Sequence, residues 1–134
     1  MKKKVFLSIL LALTALAGCR KTDPQDALQL YYMGISSIHP GETATSSPSY
    51  LGPRPSAFSI TSILHNGNFF YQPKIDGPLD ENSSFYIDPD SGTFKIQQSA
   101  SLKPGIYKVS IRCSAGGVDY DWPDAITIQM IKES

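Results

Sequence analysis

Eight residues near the C-terminus, Tyr107-Lys108-Val109-Ser110-Ile111-Arg112-Cys113-Ser114, alternate apolar and polar side chains without a break. Successive side chains of a strand point to opposite faces, so the pattern buries Tyr107, Val109, Ile111 and Cys113 and leaves their neighbours in water. A half-buried strand needs a partner sheet, and the residues just upstream begin to supply one. Phe85-Tyr86-Ile87 and Phe94-Lys95-Ile96 flank Asp88-Pro89-Asp90-Ser91-Gly92. In that turn the proline presets φ, an aspartate can bond back to the backbone, and the glycine accepts positive φ. Phe85, Ile87, Phe94 and Ile96 then share a face. Leu102 and a second turn, Lys103-Pro104-Gly105, lead into the long strand. These apolar positions make half of the expected core.

The rest of the chain divides in the same way. Leu28–Ser36 is a first strand candidate with apolar residues on both sides of the pleat. Ala57–Leu64 alternates, and Asn66-Gly67 is the pair favoured by a type I′ hairpin, whose central residues both need positive φ. Phe69–Ile75 is expected to return as a strand that Pro73 confines to an edge or a bulge. Ala125–Ile131 closes the domain with Ile126, Ile128 and Met130 inward. Residues 39–56, 76–83 and 118–124 are expected to be loops. The first of these, with Pro48, Pro53 and Pro55, is either functional or a crossover between sheets, and the crossover is favoured. Nothing beyond residue 18 has a helical period. The expectation is an all-β fold, a single antiparallel β-sandwich of about seven strands over residues 28–132.

Residues 1–18 stand apart. Lys2, Lys3 and Lys4 precede an apolar run from Val5 to Ala17, too short to span a bilayer comfortably and flanked like a secretory signal. The run closes on Leu16-Ala17-Gly18-Cys19, which resembles the lipobox of bacterial lipoproteins. The resemblance implies cleavage before Cys19 and acyl chains such as palmitate on that residue, so that the mature protein meets a membrane through Cys19. An ordinary signal peptide with a chance cysteine is the alternative. Residues 19–27, polar and interrupted by Pro24, are expected to be a tether. Arg20 follows the cysteine where, in bacterial lipoproteins, an aspartate would favour inner-membrane retention, so the resemblance implies the outer membrane, lipid-anchored and facing either outward or the periplasm.

The whole chain carries twelve basic and twelve acidic residues. Without the three leader lysines, nine basic residues face the twelve acids, a net charge of −3. Such a surface argues against nucleic acid, which requires a basic one. If Cys19 is acylated, Cys113 has no partner for an internal disulfide, and the core must hold by packing.

The hairpin Phe85-Tyr86-Ile87-Asp88-Pro89-Asp90-Ser91-Gly92-Thr93-Phe94, followed by Leu102, Pro104-Gly105, Tyr107 and Val109, resembles that of bacterial cadherin-like and immunoglobulin-like modules. Ser47-Pro48 to Gly52-Pro53-Arg54-Pro55, with Phe58 and Ile60, is similar to the start of N-terminal modules in Bacteroidota surface lipoproteins of glycan-uptake systems. The resemblance implies a lipid-anchored accessory or glycan-binding component of a carbohydrate-uptake system. Its partners would be a polysaccharide or a neighbouring outer-membrane protein. A structural spacer or protein-interaction module, a truncated N-terminal domain without its own ligand, is the alternative.

Candidate chemistry concentrates in Asp119-Tyr120-Asp121-Trp122-Pro123-Asp124. Aromatic faces stack on sugar rings and carboxylates bond their hydroxyls, so Tyr120, Trp122, Asp119 and Asp121 are the candidate glycan contacts. Against that reading, Trp122 caps one end of the core. Asp88 and Asp90 form a second acidic pair, but no cadherin calcium motif accompanies either group, and no metal or other cofactor is expected. His39 and His65 sit in separate loops without a nucleophile or a second ligand, so no catalytic residue is expected and the chain does not read as an enzyme.

Overall fold

The computed structural model describes residues 27–97 and 102–132. The leader, Cys19 and all but the last residue of the expected tether lie outside the described residues. Ten strands follow in chain order: β1 (Gln29–Tyr32), β2 (Ile35–Ile38), β3 (Ala44–Ser46), β4 (Pro48–Leu51), β5 (Pro55–His65), β6 (Asn68–Tyr71), β7 (Phe85–Ile87), β8 (Phe94–Ile96), β9 (Gly105–Ala115) and β10 (Val118–Met130). One helical turn, α1 (Pro73–Asp76), lies between β6 and β7. The fold is all-β. Its hydrogen bonds define a five-stranded sheet, β2-β10-β9-β5-β6, a three-stranded sheet, β3-β8-β7, and a two-stranded ribbon, β1-β4.

The alternating segment occupies the centre of the larger sheet. Antiparallel partners flank β9 on both sides, β10 and β5, and Tyr107, Val109, Ile111 and Cys113 are fully buried. Phe85, Ile87, Phe94 and Ile96 from β7 and β8 are buried in the same cluster, with Tyr32, Ile38, Ile63, Ile126, Ile128 and Met130. Burying each large side chain of this kind contributes roughly 1.5–3 kcal/mol. Aromatic packing ties the sheets together: the Phe85 ring lies 5.5 Å from Tyr107 and 6.1 Å from Phe94.

Several expectations need correction. Ten strands in three hydrogen-bonded sheets replace the expected seven, and the pairing is not purely antiparallel, because β2 runs parallel to β10. Leu28–Ser36 is not one strand. It breaks at Met33-Gly34, sending β1 to the ribbon and β2 to the larger sheet, which explains why neither side of its pleat was cleanly apolar. Residues 39–56 are not all loop: β3 and β4 lie within them, separated by Ser47, and Pro48 is accepted because the ribbon has just two strands. Past Tyr71 the expected return strand turns into α1, with Pro73 in its first turn, where a missing N–H costs nothing. Residues 118–124 are strand, not loop. Pro123 and Asp124, the latter at φ +50°, are held as a bulge between the pairs Trp122–Ile111 and Ile126–Val109.

Bulges also explain an apparent slip in β5. Phe58, Ile60 and Ile63 are all buried, which a strict period of two forbids, and a register shift between Ile60 and Ser62 restores the phase. Two turns match their sequence signals. Asn66 and Gly67 have φ of +51° and +87° at the β5–β6 hairpin, and Gly116 and Gly117 likewise adopt positive φ between β9 and β10.

Candidate functional site

Strand β10 distributes the four candidate glycan contacts over two faces of one sheet. Tyr120 pairs with Cys113 and Trp122 with Ile111, both buried positions, so the two aromatic rings lie over the end of the core. They stack on each other with centroids 5.9 Å apart and planes 13° from parallel. The Tyr120 hydroxyl accepts a hydrogen bond from the Leu28 amide at 3.3 Å, tying β10 to the start of the described chain. The buried indole Nε1 of Trp122 has no hydrogen-bond partner among the described residues. Burial raises the pKa of the neighbouring Cys113 thiol, and the Trp122 side chain lowers it in part.

Asp119 and Asp121 project from the opposite face. Asp121 receives Arg112 Nε at 2.7 Å and Nη2 at 3.1 Å across the β9–β10 pair, both side chains being exposed. That contact lowers the Asp121 pKa and raises the Arg112 pKa. Asp119 accepts a hydrogen bond from Ser114 Oγ at 2.5 Å. The alternation that makes β10 a strand thus separates the aromatic faces from the carboxylates.

Asp88 and Asp90 do not form a ligand set. Asp88 Oδ1 accepts the backbone N–H of Ser91 at 2.9 Å and of Asp90 at 2.8 Å, which holds its carboxyl below its ordinary pKa. Among the described residues no three His, Cys, Asp or Glu side chains are grouped to hold a metal ion. His65 Nε2 lies 3.0 Å from the Pro104 carbonyl and its ring stacks on Tyr107 at 4.4 Å. His39 is remote, beside Glu42.

A cleft of about 690 Å³ opens elsewhere, where no local motif marked it. Strand β6 pairs with β5 from Ile63 to His65, so among the described residues no strand covers the β6 edge of β5 around Phe58–Thr61, whose other edge pairs with β9. The Phe58 amide instead donates to the Pro89 carbonyl at 3.0 Å. Phe58, Ile60, Leu79 and Ile87 give the cleft its apolar lining, while Ser59, Thr61, Asp80, Glu81, Tyr86 and Arg112 supply polar groups. Its walls are fixed by their own hydrogen bonds. Gln97 Nε2 donates to the carbonyls of Glu81 at 2.6 Å and Ser83 at 3.0 Å. Asp80 Oδ1 accepts the Asn82 amide at 2.8 Å, and the Tyr71 hydroxyl donates to the Gly77 carbonyl. A preformed, mostly apolar recess with a few convergent polar groups is the usual form of a small-ligand site. Separate segments spread between Phe58 and Arg112 build it, which is why the sequence showed no signal for it.

An all-β domain of this organisation, with a recess at a sheet edge, has the architecture of an immunoglobulin-like module. The profile of the family described as surface glycan binding protein BT4661-like, N-terminal, matches residues 17–134, and the chain belongs to that family. It is 30% identical, with a TM-score of 0.64, to BT4661, described as a SusE-like surface located polysaccharide binding protein from the Bacteroides thetaiotaomicron heparin utilisation locus. That alignment covers 78% of this chain but 16% of BT4661. A family 123 glycoside hydrolase from Clostridium perfringens aligns with a TM-score of 0.51 at 11% identity, covering 80% of this chain and 27% of the hydrolase; this likeness shows the fold alone. Among curated proteins, none matches the chain.

Proposed function

We propose that this chain is a lipid-anchored module at the bacterial cell surface that contributes to glycan capture in a polysaccharide-uptake system. The observation that carries the reading is the match of residues 17–134 to a family of surface glycan-binding proteins. Acylation of Cys19 supplies the anchor, and the two smaller sheets act as one face packed on the five-stranded sheet.

Within the domain, the cleft beside β5 is the better seat for sugar. Tyr86 offers a partly exposed ring, Ser59 and Thr61 offer hydroxyls, and apolar side chains line the recess to meet the hydrophobic face of a pyranose. Its charge favours an uncharged glycan. Asp80 and Glu81 oppose a sulfated chain, and the one cation in the lining, Arg112, already pairs with Asp121. The second candidate is β10, where Tyr120 and Trp122 lie on one face and Asp119 and Asp121 on the other, so a glycan there would meet one set or the other.

Calorimetric titration with neutral and sulfated polysaccharides tests both surfaces. Binding of a neutral glycan that weakens at least tenfold in Tyr86→Ala, with Trp122→Ala folded and binding normally, places the sugar in the cleft. The reverse pattern moves it to β10. Silence across the whole panel removes the binding role and leaves a spacer or protein-interaction module.

A further inference from the structure

Charge is unevenly distributed along the described chain. Between residues 27 and 73 the formal charges are Glu42 and Arg54, whereas residues 76–132 carry most of the carboxylates and cations. The nearly uncharged part exposes large apolar side chains on the β1–β4 ribbon: Tyr31 is 65% exposed, Met33 69%, Leu51 69% and Tyr50 45%. Tyr31 and Leu51 share one face, because Gln29 pairs with Leu51 and Tyr31 with Ser49 two steps along. Met33 lies on that side too, against Thr45, Ser47 and Ser49. Tyr50 lies on the other face of the ribbon, and the outer face therefore sets Tyr31, Met33 and Leu51 among Gln29 and the hydroxyls of Thr45, Ser47 and Ser49, an exposed apolar group with a polar surround of the kind that marks an interaction site.

The path of the chain identifies the occupant. It enters the described structure at Ala27, whose carbonyl oxygen would lie 2.5 Å from a Cβ placed on Gly52, the residue after Leu51. The eight steps from Cys19 to Ala27 reach at most about 3.3–3.6 Å each, under ~30 Å in all. An acyl chain on Cys19 therefore holds the start of this ribbon within ~30 Å of a bilayer, and the ribbon is the part of the domain where the tether arrives. Tyrosine is suited to the headgroup boundary, having an apolar ring and a hydroxyl that stays hydrated. No carboxylate lies on β1 or β4 to repel an anionic surface.

We propose that the outer face of the β1–β4 ribbon, centred on Tyr31, Met33 and Leu51, docks on the headgroup boundary of the membrane that holds Cys19 and so fixes the orientation of the domain. This rests on the acylation of Cys19 proposed above, and the test separates the two. The acylated chain is reconstituted in nanodiscs of phosphatidylcholine and phosphatidylglycerol, mass spectrometry of its N-terminal peptide reports the anchor, and hydroxyl-radical footprinting reports exposure. The mature chain from residue 20, which contains every described core residue, is the lipid-free reference. Oxidation of Met33 and Tyr31 is expected to fall at least fivefold on the nanodisc, while that of Phe69 and Ile75, exposed on and after β6, changes less than twofold. In Tyr31→Ser/Leu51→Ser the protection of Met33 is lost. An acylated chain whose Met33 stays as reactive as in the reference overturns the docking but keeps the anchor; an unacylated N-terminus overturns both. Protection that follows protein concentration rather than lipid assigns the face to a second copy and also overturns the proposal.

Discussion

Two acidic stretches of similar composition, Asp88–Gly92 and Asp119–Asp124, have opposite relations to the core. The first is a turn bolted into the interior. The Tyr32 hydroxyl, raised in pKa by burial, donates to the Gly92 carbonyl at 2.6 Å, and Gly92 itself donates to the Asp88 carbonyl at 2.8 Å. The second is a strand whose carboxylates lie on water and whose aromatics close the core from above. Composition does not distinguish a turn from a strand here; the spacing of the apolar residues does.

Gly92 is where that comparison can be broken most severely. It sits at φ +78°, and a Cβ there would lie 2.5–2.8 Å from three ring carbons of the buried Phe58. Gly92→Ala combines a conformation that L side chains resist with overpacking, so a loss of about 2–4 kcal/mol is expected in urea denaturation. A loss below about 1 kcal/mol would mean that the turn slides off Phe58 freely, and the two stretches would then be alike.

The second stretch answers through its aromatic lid. Trp122 is partly buried, so Trp122→Ala is expected to cost about 1–3 kcal/mol, less than removal of a fully buried ring. It should also uncover Cys113, whose thiol burial holds in the neutral, unreactive form. Native labelling of Cys113 with a thiol reagent, read on its own peptide apart from Cys19, is expected to be negligible in the parent chain and at least tenfold faster in the variant. Equal rates would show that Trp122 is not the lid.

These contrasts mark how far the chain was legible. The turn at Asp88–Gly92, the Asn66-Gly67 hairpin and the buried side of β9 follow from local rules, because each is decided within a few residues. Residues 118–124 were misread because Pro123 and three aspartates are poor strand formers. The pairing of Tyr120 with Cys113 and Trp122 with Ile111 overrides that weak preference, and a bulge absorbs Pro123. The split of Leu28–Ser36 into β1 and β2 depends on which sheet each half finds, a choice made by distant residues. The cleft is the extreme case: Phe58, Leu79 and Tyr86 meet there, and nothing near any one of them announces the others. The aromatics and carboxylates around Trp122 were legible as residues, but the strand places them on opposite faces.

The smallest effect separates the two sets of carboxylates by what holds their charge. Ser91 and Asp90 amides hold Asp88, whereas the Arg112 guanidinium holds Asp121, and both folded pKa values lie below the ordinary 3.8. A carboxylate depressed in the folded state adds stability that is complete above its unfolded pKa and is lost as pH falls through the folded value. Both therefore steepen the loss of stability below about pH 4. The partners differ in their response to salt. Backbone amides of a fixed turn are not screened, while an exposed ion pair is, since the Debye length shrinks to about 3 Å at 1 M. Urea midpoints between pH 5 and 2.5 should thus fall less steeply in Asp88→Asn at both low and high salt, because asparagine keeps an acceptor but does not titrate. Asp121→Asn should flatten the same limb at low salt alone. If 1 M salt cancels the Asp88 effect as well, its charge is held by the general field of the protein and not by the turn, and the distinction between the two acidic stretches fails at the level of electrostatics while surviving in their packing.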